Sequence, residues 1–290
     1  MNGIRPITVF GATGKIGTGL IALLSEAKLP VTAITRDLKK AIPLPFVQWK
    51  RADMSEPEAL QPVLSKGGAV FLLSGTGPDC STEQINVIRV AKEAGVSYIV
   101  KLSSGEADLN SPYFIPRTHG IVEEFLKKSK IPYTILRSNG MMQNWLGEIA
   151  NSVKKQRIFY ESTGDGKRAY VDRRDIIEAA YICLTKPEKH QNKTYFITGG
   201  KAVNYSELAQ CISNVIQEKV SYVPISIEES RKEMECKVMP YALIETFCAY
   251  DAAQARGEKA LVTDDLHRIL NRQPRTIEQF VLDHQVFFKK

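Results

Sequence analysis

Three glycines spaced three residues apart are the first residues in this sequence whose pattern could support chemistry. They are Gly11, Gly14 and Gly17 of the stretch FGATGKIG. Between a strand and a helix, such a turn brings backbone N–H groups close to the pyrophosphate of a dinucleotide, although glycines can also serve only to turn the chain. An apolar run precedes Gly11 and a helical pattern follows it, so we expect a dinucleotide site. Its predicted contacts are Gly11, Ala12, Thr13, Gly14, Lys15, Ile16 and Gly17.

The end of the second predicted strand indicates which dinucleotide is bound. Arg36 stands where an arginine can bind the 2′-phosphate of NADP(H), whereas the neighbouring Asp37 could accept ribose hydroxyl groups and repel that phosphate. Because Arg36 comes first and Lys39 and Lys40 follow, we expect NADP(H) to be preferred over NAD(H). The alternative for Arg36 is an ordinary surface charge.

Further cofactor contacts are predicted after the later strands. Asp53 follows the third strand and is expected to meet the adenine amino group, with a local turn through the next two residues as the alternative. Short loops of small residues follow the fourth and fifth strands and can lie against the cofactor. Their predicted contact residues are Ser74, Gly75 and Ser103.

Short apolar runs alternate with amphipathic segments of helix length through about residue 137, a pattern typical of repeated βαβ units and a buried parallel sheet. The predicted strands are Ile7–Gly11, Val31–Thr35, Phe46–Lys50, Ala69–Leu73, Tyr98–Leu102 and Tyr133–Leu136. The predicted helices span residues 15–27, 56–65, 82–94 and 118–129. Beyond residue 137 we expect a helix, one more strand in NKTYFITGG and a mostly helical C-terminal third.

These patterns predict an α/β protein with a Rossmann-like doubly wound parallel sheet and a smaller, mostly helical C-terminal substrate-binding domain. We expect the NAD(P)-binding core in residues 1–137, with a returning strand and helix near 170–200. Residues 138–290 then form the substrate-side part. A cleft is expected at the carboxyl ends of the strands, where ligands bind in doubly wound sheets.

Composition excludes several classes of protein. The 290 residues are 43% hydrophobic, enough to bury a large core. No apolar run approaches the roughly 18 to 20 residues of a membrane span, and the N-terminus lacks the pattern of a signal peptide, so we expect a cytoplasmic protein without a membrane partner. The five cysteines and four histidines are dispersed, so we expect no metal. The net charge of +7 is spread in short clusters without interleaved aromatic residues, which argues against a nucleic-acid partner.

Longer segments resemble a known family. The stretches GATGKIG, ITRD, KLSSGEA and above all RTHGIVEEFLKKSKIPYTILRSNGMMQN resemble the NmrA-like atypical short-chain dehydrogenases/reductases. Within that family they are most similar to the branch that contains bacterial NAD(P)H:quinone oxidoreductase 2 and triphenylmethane reductase. The segments NKTYFITGGKAVNYSELAQCISNVIQEKVSYVPISIEE and GEKALVTDDLHRIL also fit, so the resemblance covers nearly the whole chain.

The resemblance implies an NADP-binding domain with a small C-terminal domain that closes over the substrate. It also implies that a stretch beside the nicotinamide completes the cofactor site, with contacts from Ser138, Asn139, Gly140 and Met141. His119 and Glu123 match a His-x-x-x-Glu pattern of this branch, in which related reductases of plant phenolics carry a catalytic lysine at the histidine position.

The Tyr-x-x-x-Lys pair of classical short-chain dehydrogenases is not present in clean form. Its nearest match is Tyr113 with Arg117, and we expect Pro116 to break the helix that should carry both. Tyr113 is therefore predicted to form a pocket wall or to serve in packing, with a catalytic role as the alternative. Without a strong proton donor, the chemistry is restricted to acceptors whose reduction leaves a stabilised anion or a neutral product, such as quinones and delocalised carbocations.

His119 and Glu123 lie four residues apart, hence on one face of the predicted helix. His119 could contact the nicotinamide ribose or donate a proton to a quinone oxygen, with Glu123 fixing its tautomer; the alternative is a structural pair. Asn144 is predicted to lie on the substrate side of the site and to orient the neighbouring loop by bonding backbone groups. Met142 and Trp145 are predicted to form an apolar wall for a flat acceptor, together with Met141, although core packing explains them nearly as well.

The sequence therefore predicts an NADPH-dependent reductase that transfers hydride directly to a quinone-like or other conjugated aromatic small molecule, without flavin or metal. The main alternative is a catalytically silent NAD(P)-binding redox sensor of the NmrA type. A third is a reductase for a specialised carbon electrophile such as an iminium. A homodimer is compatible with the sequence, which leaves the oligomeric state and the physiological acceptor open.

Overall fold

Segments of three to seven residues form the strands of this protein. In the computed structural model, which describes residues 6–290, these strands are β1 (Ile7–Val9), β2 (Val31–Thr35), β3 (Val47–Arg51), β4 (Ala69–Leu72), β5 (Tyr98–Ser104), β6 (Tyr133–Ser138), β7 (Ile158–Glu161), β8 (Lys193–Ile197) and β9 (Ser221–Pro224). The six predicted strands before residue 140 are all present, with ends that differ by no more than two residues.

Seven of the strands build one sheet, in the order β3-β2-β1-β4-β5-β6-β8. The pairings of β1 with β2 and β4, of β2 with β3 and of β4 with β5 are parallel. The chain fills one half of the sheet outward from β1 and then returns to fill the other half from β4. In such doubly wound sheets, the loops after the two central strands diverge and leave a crevice for a ligand. The predicted fold class is confirmed.

Twelve α-helices accompany the strands within residues 6–290. They are α1 (Lys15–Glu26), α2 (Pro57–Leu60), α3 (Cys80–Glu93), α4 (Phe114–Ser129), α5 (Glu148–Gln156), α6 (Arg173–Thr185), α7 (Pro187–His190), α8 (Tyr205–Ile216), α9 (Ile227–Cys236), α10 (Tyr241–Ala255), α11 (Asp265–Leu270) and α12 (Ile277–Asp283). The helix predicted at 56–65 is only one turn long and continues as a 3₁₀ turn at Gln61–Val63. Pro62 accounts for this, because it has no N–H to extend the helix.

The prediction that Pro116 breaks its helix is wrong. Helix α4 begins at Phe114, so Pro116 lies in the first turn, where an N–H has no partner within the helix. Its carbonyl accepts a hydrogen bond from the N–H of Asp108 at 3.0 Å. Tyr113 lies directly before the helix and Arg117 within it.

The chain forms two compact units. Unit 1 comprises the chain up to Ser111 together with Pro116–Arg137 and Ile176–Phe196, and unit 2 comprises Pro112–Ile115, Ser138–Asp175 and Ile197–Lys290. Unit 1 packs apolar residues of the sheet against helices such as α3 and α4. Unit 2 has its own aromatic core, in which Trp145 packs edge-on against Tyr170 with ring centroids 4.9 Å apart.

Unit 2 also contains a small sheet that the sequence did not predict. Strand β7 pairs in parallel with β9 over four residues each. Both strands are short and partly exposed, so neither shows the continuous apolar run that marks the central sheet. Among the described residues, no helix is long and apolar enough to cross a membrane.

The close packing of α1 on the turn after β1 leads to a stability prediction. A Cβ atom on Gly17 would collide with the carbonyl oxygen of Gly11 and lie 2.7 Å from Cα of Ala12. Because both neighbours are backbone atoms that cannot rotate away, Gly17→Ala is expected to lower the free energy of unfolding by about 1–3 kcal/mol. Gly77→Ala is the matched control, because a Cβ there meets no atom within 4 Å.

Chemical denaturation of both variants without cofactor checks this prediction. The control is expected to change the free energy of unfolding by less than about 1 kcal/mol. Equal denaturation midpoints for Gly17→Ala and the wild type would contradict the close packing.

Candidate functional site

The glycine turn connects β1 to α1, and its conformation leaves no room for a side chain at Gly11. Gly11 has φ of +70°, and a Cβ on it would lie 2.8 Å from the carbonyl oxygen of Leu73, which follows β4. The N–H of Gly14 donates to the carbonyl of Gly11 at 3.0 Å and closes the turn. The turn therefore lies against the end of β4, at the point where the strand order reverses.

The first turn of α1 is open to a ligand. Gly14 occupies the N-cap position, no side chain caps the helix, and its first turn contains no acidic residue. Thr13, Gly14 and Lys15 are exposed. A helix N-terminus with uncapped N–H groups favours an anion through both hydrogen bonds and the helix dipole. These features fit the pyrophosphate of a dinucleotide.

The side chains after β2 differ in what they contact. The carboxylate of Asp37 accepts the N–H of Lys39 at 3.0 Å and so caps a short 3₁₀ turn at Leu38–Lys40. Arg36 is exposed. The carboxylate of Asp37, which could repel a 2′-phosphate, thus already accepts a backbone hydrogen bond, whereas the guanidinium of Arg36 is accessible to solvent.

Asp53 forms the local turn that was its alternative interpretation. Its Oδ1 accepts the N–H of Ser55 at 2.9 Å and the Ser55 hydroxyl at 2.8 Å. The backbone hydrogen bond from Ser55 holds the pKa of Asp53 below its usual value, and Arg36 adds to this effect. Its predicted contact with adenine stays a prediction.

A continuous chain of hydrogen bonds runs from the loop after β4 to His119. The amide nitrogen of Gln84 on α3 donates to the Ser74 hydroxyl at 2.8 Å. The Gln84 Oε1 accepts from Nζ of Lys101 on β5 at 2.9 Å, and the same Nζ lies 3.2 Å from Nδ1 of His119. Because Leu73 touches Gly11, this chain begins beside the glycine turn.

Burial governs the charge of both basic groups in this chain. It lowers the pKa of Lys101, which is fully buried, to about 8, while Glu123 and Cys80 oppose the shift. Burial, with a smaller contribution from the nearby charge of Lys101, lowers the pKa of His119 to about 3. At neutral pH the imidazole is therefore neutral and the lysine is mostly protonated.

Glu123 does not contact His119 as predicted. Its Oε1 accepts the Ser103 hydroxyl at 2.6 Å, and Nη2 of Arg137 donates to its Oε2 at 2.6 Å. Although Glu123 and His119 share a face of α4, their side chains bind different partners. His119 contacts Lys101 on β5, whereas Glu123 binds Ser103 on β5 and Arg137 on β6. The predicted role of Glu123 in fixing the histidine tautomer is therefore wrong. The hydrogen bond between Ser103 and Glu123 directs the Ser103 hydroxyl towards the carboxylate of Glu123.

The stretch that the family resemblance placed beside the nicotinamide belongs to unit 2. Oδ1 of Asn139 accepts the N–H of Gly140 at 2.8 Å and Nε of Arg168 at 2.7 Å. A Cβ on Gly140 would lie 2.7 Å from that Nε, so Gly140 leaves room for the arginine. Ser138 is buried and Met141 is half-buried.

The predicted substrate residues have different surroundings. Met142 and Trp145 are 2% and 1% exposed and belong to the core of unit 2, so their prediction as a substrate wall is wrong and core packing, the alternative, accounts for them. Asn144 is exposed and its carbonyl accepts the N–H of Gly147. Tyr113 is exposed and Gly75 lies in the open loop after β4. Contacts of Tyr113 and Asn144 with a substrate stay predictions.

Sequence reasoning missed several residues of these networks. Lys101 had a detectable signal, because a lysine interrupts the apolar strand YIVKLSS. Gln84, Arg137 and Arg168 had none, because each is a common surface residue whose role depends on a partner distant in sequence. In residues 6–290, no group of three or more His, Cys, Asp or Glu side chains is arranged to hold a metal ion.

The buried ion pair of Glu123 leads to a second stability prediction. Glu123→Gln leaves Arg137 without a charged partner, and breaking a buried pair costs about 3 kcal/mol of unfolding free energy. Glu124→Gln is the control, because Glu124 forms an exposed pair with Lys128 at 3.2 Å and is expected to cost at most about 1 kcal/mol. Urea denaturation measures both, and equal losses would contradict the structural role of Glu123.

The geometry agrees with comparisons to known proteins. The family model of the NmrA-like family matches residues 5–281. The chain is 33% identical over 284 residues to the NAD(P)H azoreductase of Xenophilus azovorans, a match that covers 97% of this chain and 99% of the relative.

Two solved reductases have a similar fold. The structure resembles that of the NADPH-dependent quinone oxidoreductase of Escherichia coli complexed with NADPH, with a TM-score of 0.86, 26% identity and coverage of 97% and 99% of the two chains. It also resembles the Citrobacter sp. triphenylmethane reductase complexed with NADP(H), with a TM-score of 0.84, 28% identity and coverage of 96% and 99%. With the family model matching nearly its whole length and the expected glycine turn in place, this chain belongs to the NmrA-like family, as its sequence motifs predicted.

Proposed function

We propose that this protein is an NADPH-dependent reductase that transfers hydride directly to a quinone-like or other conjugated aromatic acceptor. The observation that carries the proposal is the uncapped N-terminus of α1 behind a glycine turn, at the point where the strand order reverses. Similar proteins are named as an azoreductase, a quinone oxidoreductase and a triphenylmethane reductase. All three names describe reduction of a conjugated acceptor.

The chain's own residues would bind and orient the cofactor. The N–H groups of Thr13, Lys15 and Ile16 lie in the turn and first helical residues, where they can bind a pyrophosphate. The glycines allow the pyrophosphate to approach the backbone. When bound, NADPH would supply the hydride, and the protein would hold the acceptor against it and exclude water.

Preference for NADPH over NADH rests on Arg36. Its guanidinium is exposed after β2, and a charge-assisted hydrogen bond to a 2′-phosphate is available there. Asp37 opposes the binding of a 2′-phosphate less than its charge suggests, because its carboxylate accepts the backbone N–H of Lys39 in the next turn.

The acceptor class follows from the proton donors at hand. His119 is neutral at neutral pH, so by itself it can donate a proton only weakly. Reduction of a simple ketone leaves a strongly basic alkoxide and needs a strong acid, whereas a quinone leaves a stabilised anion and a triarylmethane cation leaves a neutral product. A site with a weak donor suits the second group.

Acceptor-dependent oxidation of NADPH by the purified, flavin-free protein tests the proposal. We expect turnover with quinones and cationic triarylmethane dyes, and its loss in Gly14→Asp, because the new carboxylate repels the pyrophosphate. Ser65→Asp is the control, since it adds the same charge at an exposed position just before β4. Tight cofactor binding without turnover of any acceptor would contradict a reductase and favour the alternative, a dinucleotide sensor.

Arg36→Ala tests the cofactor preference. Loss of a charge-assisted hydrogen bond is expected to weaken NADPH binding about 10- to 100-fold, with less than about threefold change for NADH. Lys92→Ala removes an exposed charge at the C-terminal end of α3 and serves as the control. Titration of cofactor fluorescence measures both dissociation constants, and equal losses for NADPH and NADH would remove the role assigned to Arg36.

A further inference from the structure

A lysine side chain is buried in the middle of β5, and the proposed hydride transfer does not account for it. Lys101 is fully buried, and its ammonium group lies between α3, β5 and the imidazole of His119. We propose that Lys101 and His119 form a proton relay, in which Lys101 supplies the proton that His119 delivers to an acceptor oxygen. This inference rests on the proposed reductase function and assigns its proton source.

The geometry of Lys101 determines which tautomer His119 adopts. An ammonium group has three donors and no acceptor. Its three neighbours at hydrogen-bond distance are Oε1 of Gln84 at 2.9 Å, the carbonyl of Leu102 at 3.2 Å and Nδ1 of His119 at 3.2 Å. A protonated Lys101 therefore donates to Nδ1, which must be unprotonated. A neutral His119 then carries its proton on Nε2.

The Nε2 edge of His119 is the side that can reach a substrate. His119 is half-buried, and its one hydrogen bond within residues 6–290 is the contact of Nδ1 with Lys101. In that part of the chain, Nε1 of Trp145 is the one buried side-chain nitrogen or oxygen without a hydrogen-bond partner. It follows that Nε2 of His119 is accessible to solvent.

Electrostatics favours Lys101 as the acid of the pair. The groups that face it are His119 and Glu123 on α4 and Cys80 on α3. Burial lowers the pKa of Lys101 to about 8, which is close to the pH at which a general acid works best, whereas burial places the pKa of His119 near 3. An imidazolium is therefore scarce at neutral pH, and the available proton resides on Lys101.

The relay balances atoms and charge. A quinone that has gained a hydride carries one negative charge. The N–H bond at Nε2 of His119 breaks as that proton bonds to the quinone oxygen, and an Nζ proton of Lys101 moves to Nδ1. The imidazole stays neutral in its other tautomer, Lys101 becomes an amine and the product is a neutral hydroquinone. A proton from the solvent then binds Nε2 as Nδ1 returns its proton to the amine of Lys101, so each turnover takes up one solvent proton and restores the starting charges.

The relay can be tested with two acceptors, one whose reduction consumes a proton and one whose reduction does not. Reduction of a quinone such as menadione consumes a hydride and a proton, whereas reduction of a cationic triarylmethane dye such as malachite green consumes a hydride alone. Lys101→Met keeps the length and apolar stem of the side chain and removes the proton. We expect kcat for the quinone to fall about 100-fold, the lower range of general acid catalysis, and kcat for the dye to change less than about threefold.

The outcomes separate the relay from the proposed function. Equal losses with both acceptors in Lys101→Met, at unchanged cofactor affinity, would make Lys101 a structural residue and overturn the relay alone. A wild-type protein that reduces the dye but not the quinone would also overturn it. A wild-type protein that reduces no acceptor would overturn the proposed reductase function, and the relay with it.

The pH profile provides a second measurement that a structural role would not affect. With the wild type, kcat for the quinone is expected to fall as the pH rises above about 8, because Lys101 loses its proton. Lys101→Met should lack this alkaline decrease. Gln84→Met, which removes an acceptor of the ammonium group, should move the decrease to lower pH, and it serves if Lys101→Met does not fold. An alkaline decrease that is identical in all three proteins would overturn the relay.

Nitrogen-15 NMR of labelled histidine tests the ground state without any turnover. The chain has four histidines, so the signals of His119 can be assigned with a His119→Gln variant. We expect a neutral His119 with its proton on Nε2 at pH 7, and a mixture of tautomers in Lys101→Met. A wild-type His119 protonated on Nδ1 would overturn the relay, because Lys101 could then not donate to it.

Discussion

The approach of α1 to the turn after β1 is the constraint on which the candidate site depends. The carbonyl of Gly11 lies so close to Gly17 that no side chain fits between them. This packing holds the N-terminus of α1 open, with Gly14 as an N-cap that brings no side chain of its own. Because Gly11 also lies against Leu73, the loop after β4 is held beside the turn. The same packing thus positions both the uncapped N-terminus of α1 and the start of the polar network at Ser74.

Two buried charged groups of opposite sign lie near one another in unit 1, and each is fully hydrogen-bonded. Glu123 is held by Ser103 and Arg137, whereas Lys101 is held by Gln84 and His119. Burying a charge is costly unless it is paired or hydrogen-bonded, so these networks must form together with the core. The difference lies in their partners: an arginine stabilises the carboxylate, whereas a neutral imidazole leaves the ammonium able to lose its proton.

Sequence patterns predicted most of the central sheet but less of its surroundings. Both ends of strand β2 were predicted correctly. Its five residues, VTAIT, are β-branched or apolar, and such a short run is typical of a strand in a buried parallel sheet. The prediction that Pro116 breaks its helix was wrong, because a proline is tolerated in the first turn and the sequence did not show that α4 begins at Phe114. Met142 and Trp145 were assigned to a substrate wall, because an apolar side chain suits a pocket and a core equally well.

The sequence by itself determined the fold class, the position of the glycine turn and the family, because these depend on residue types at short, regular spacing. The tertiary structure decided which side chains act together. His119 and Glu123 share a helix face, yet one contacts Lys101 and the other Arg137, and the partners come from β5 and β6. The spacing of residues along a helix specifies the direction in which each side chain leaves the helix. A hydrogen bond also depends on the distance to the partner atom, and only the packing of strands and helices sets that distance.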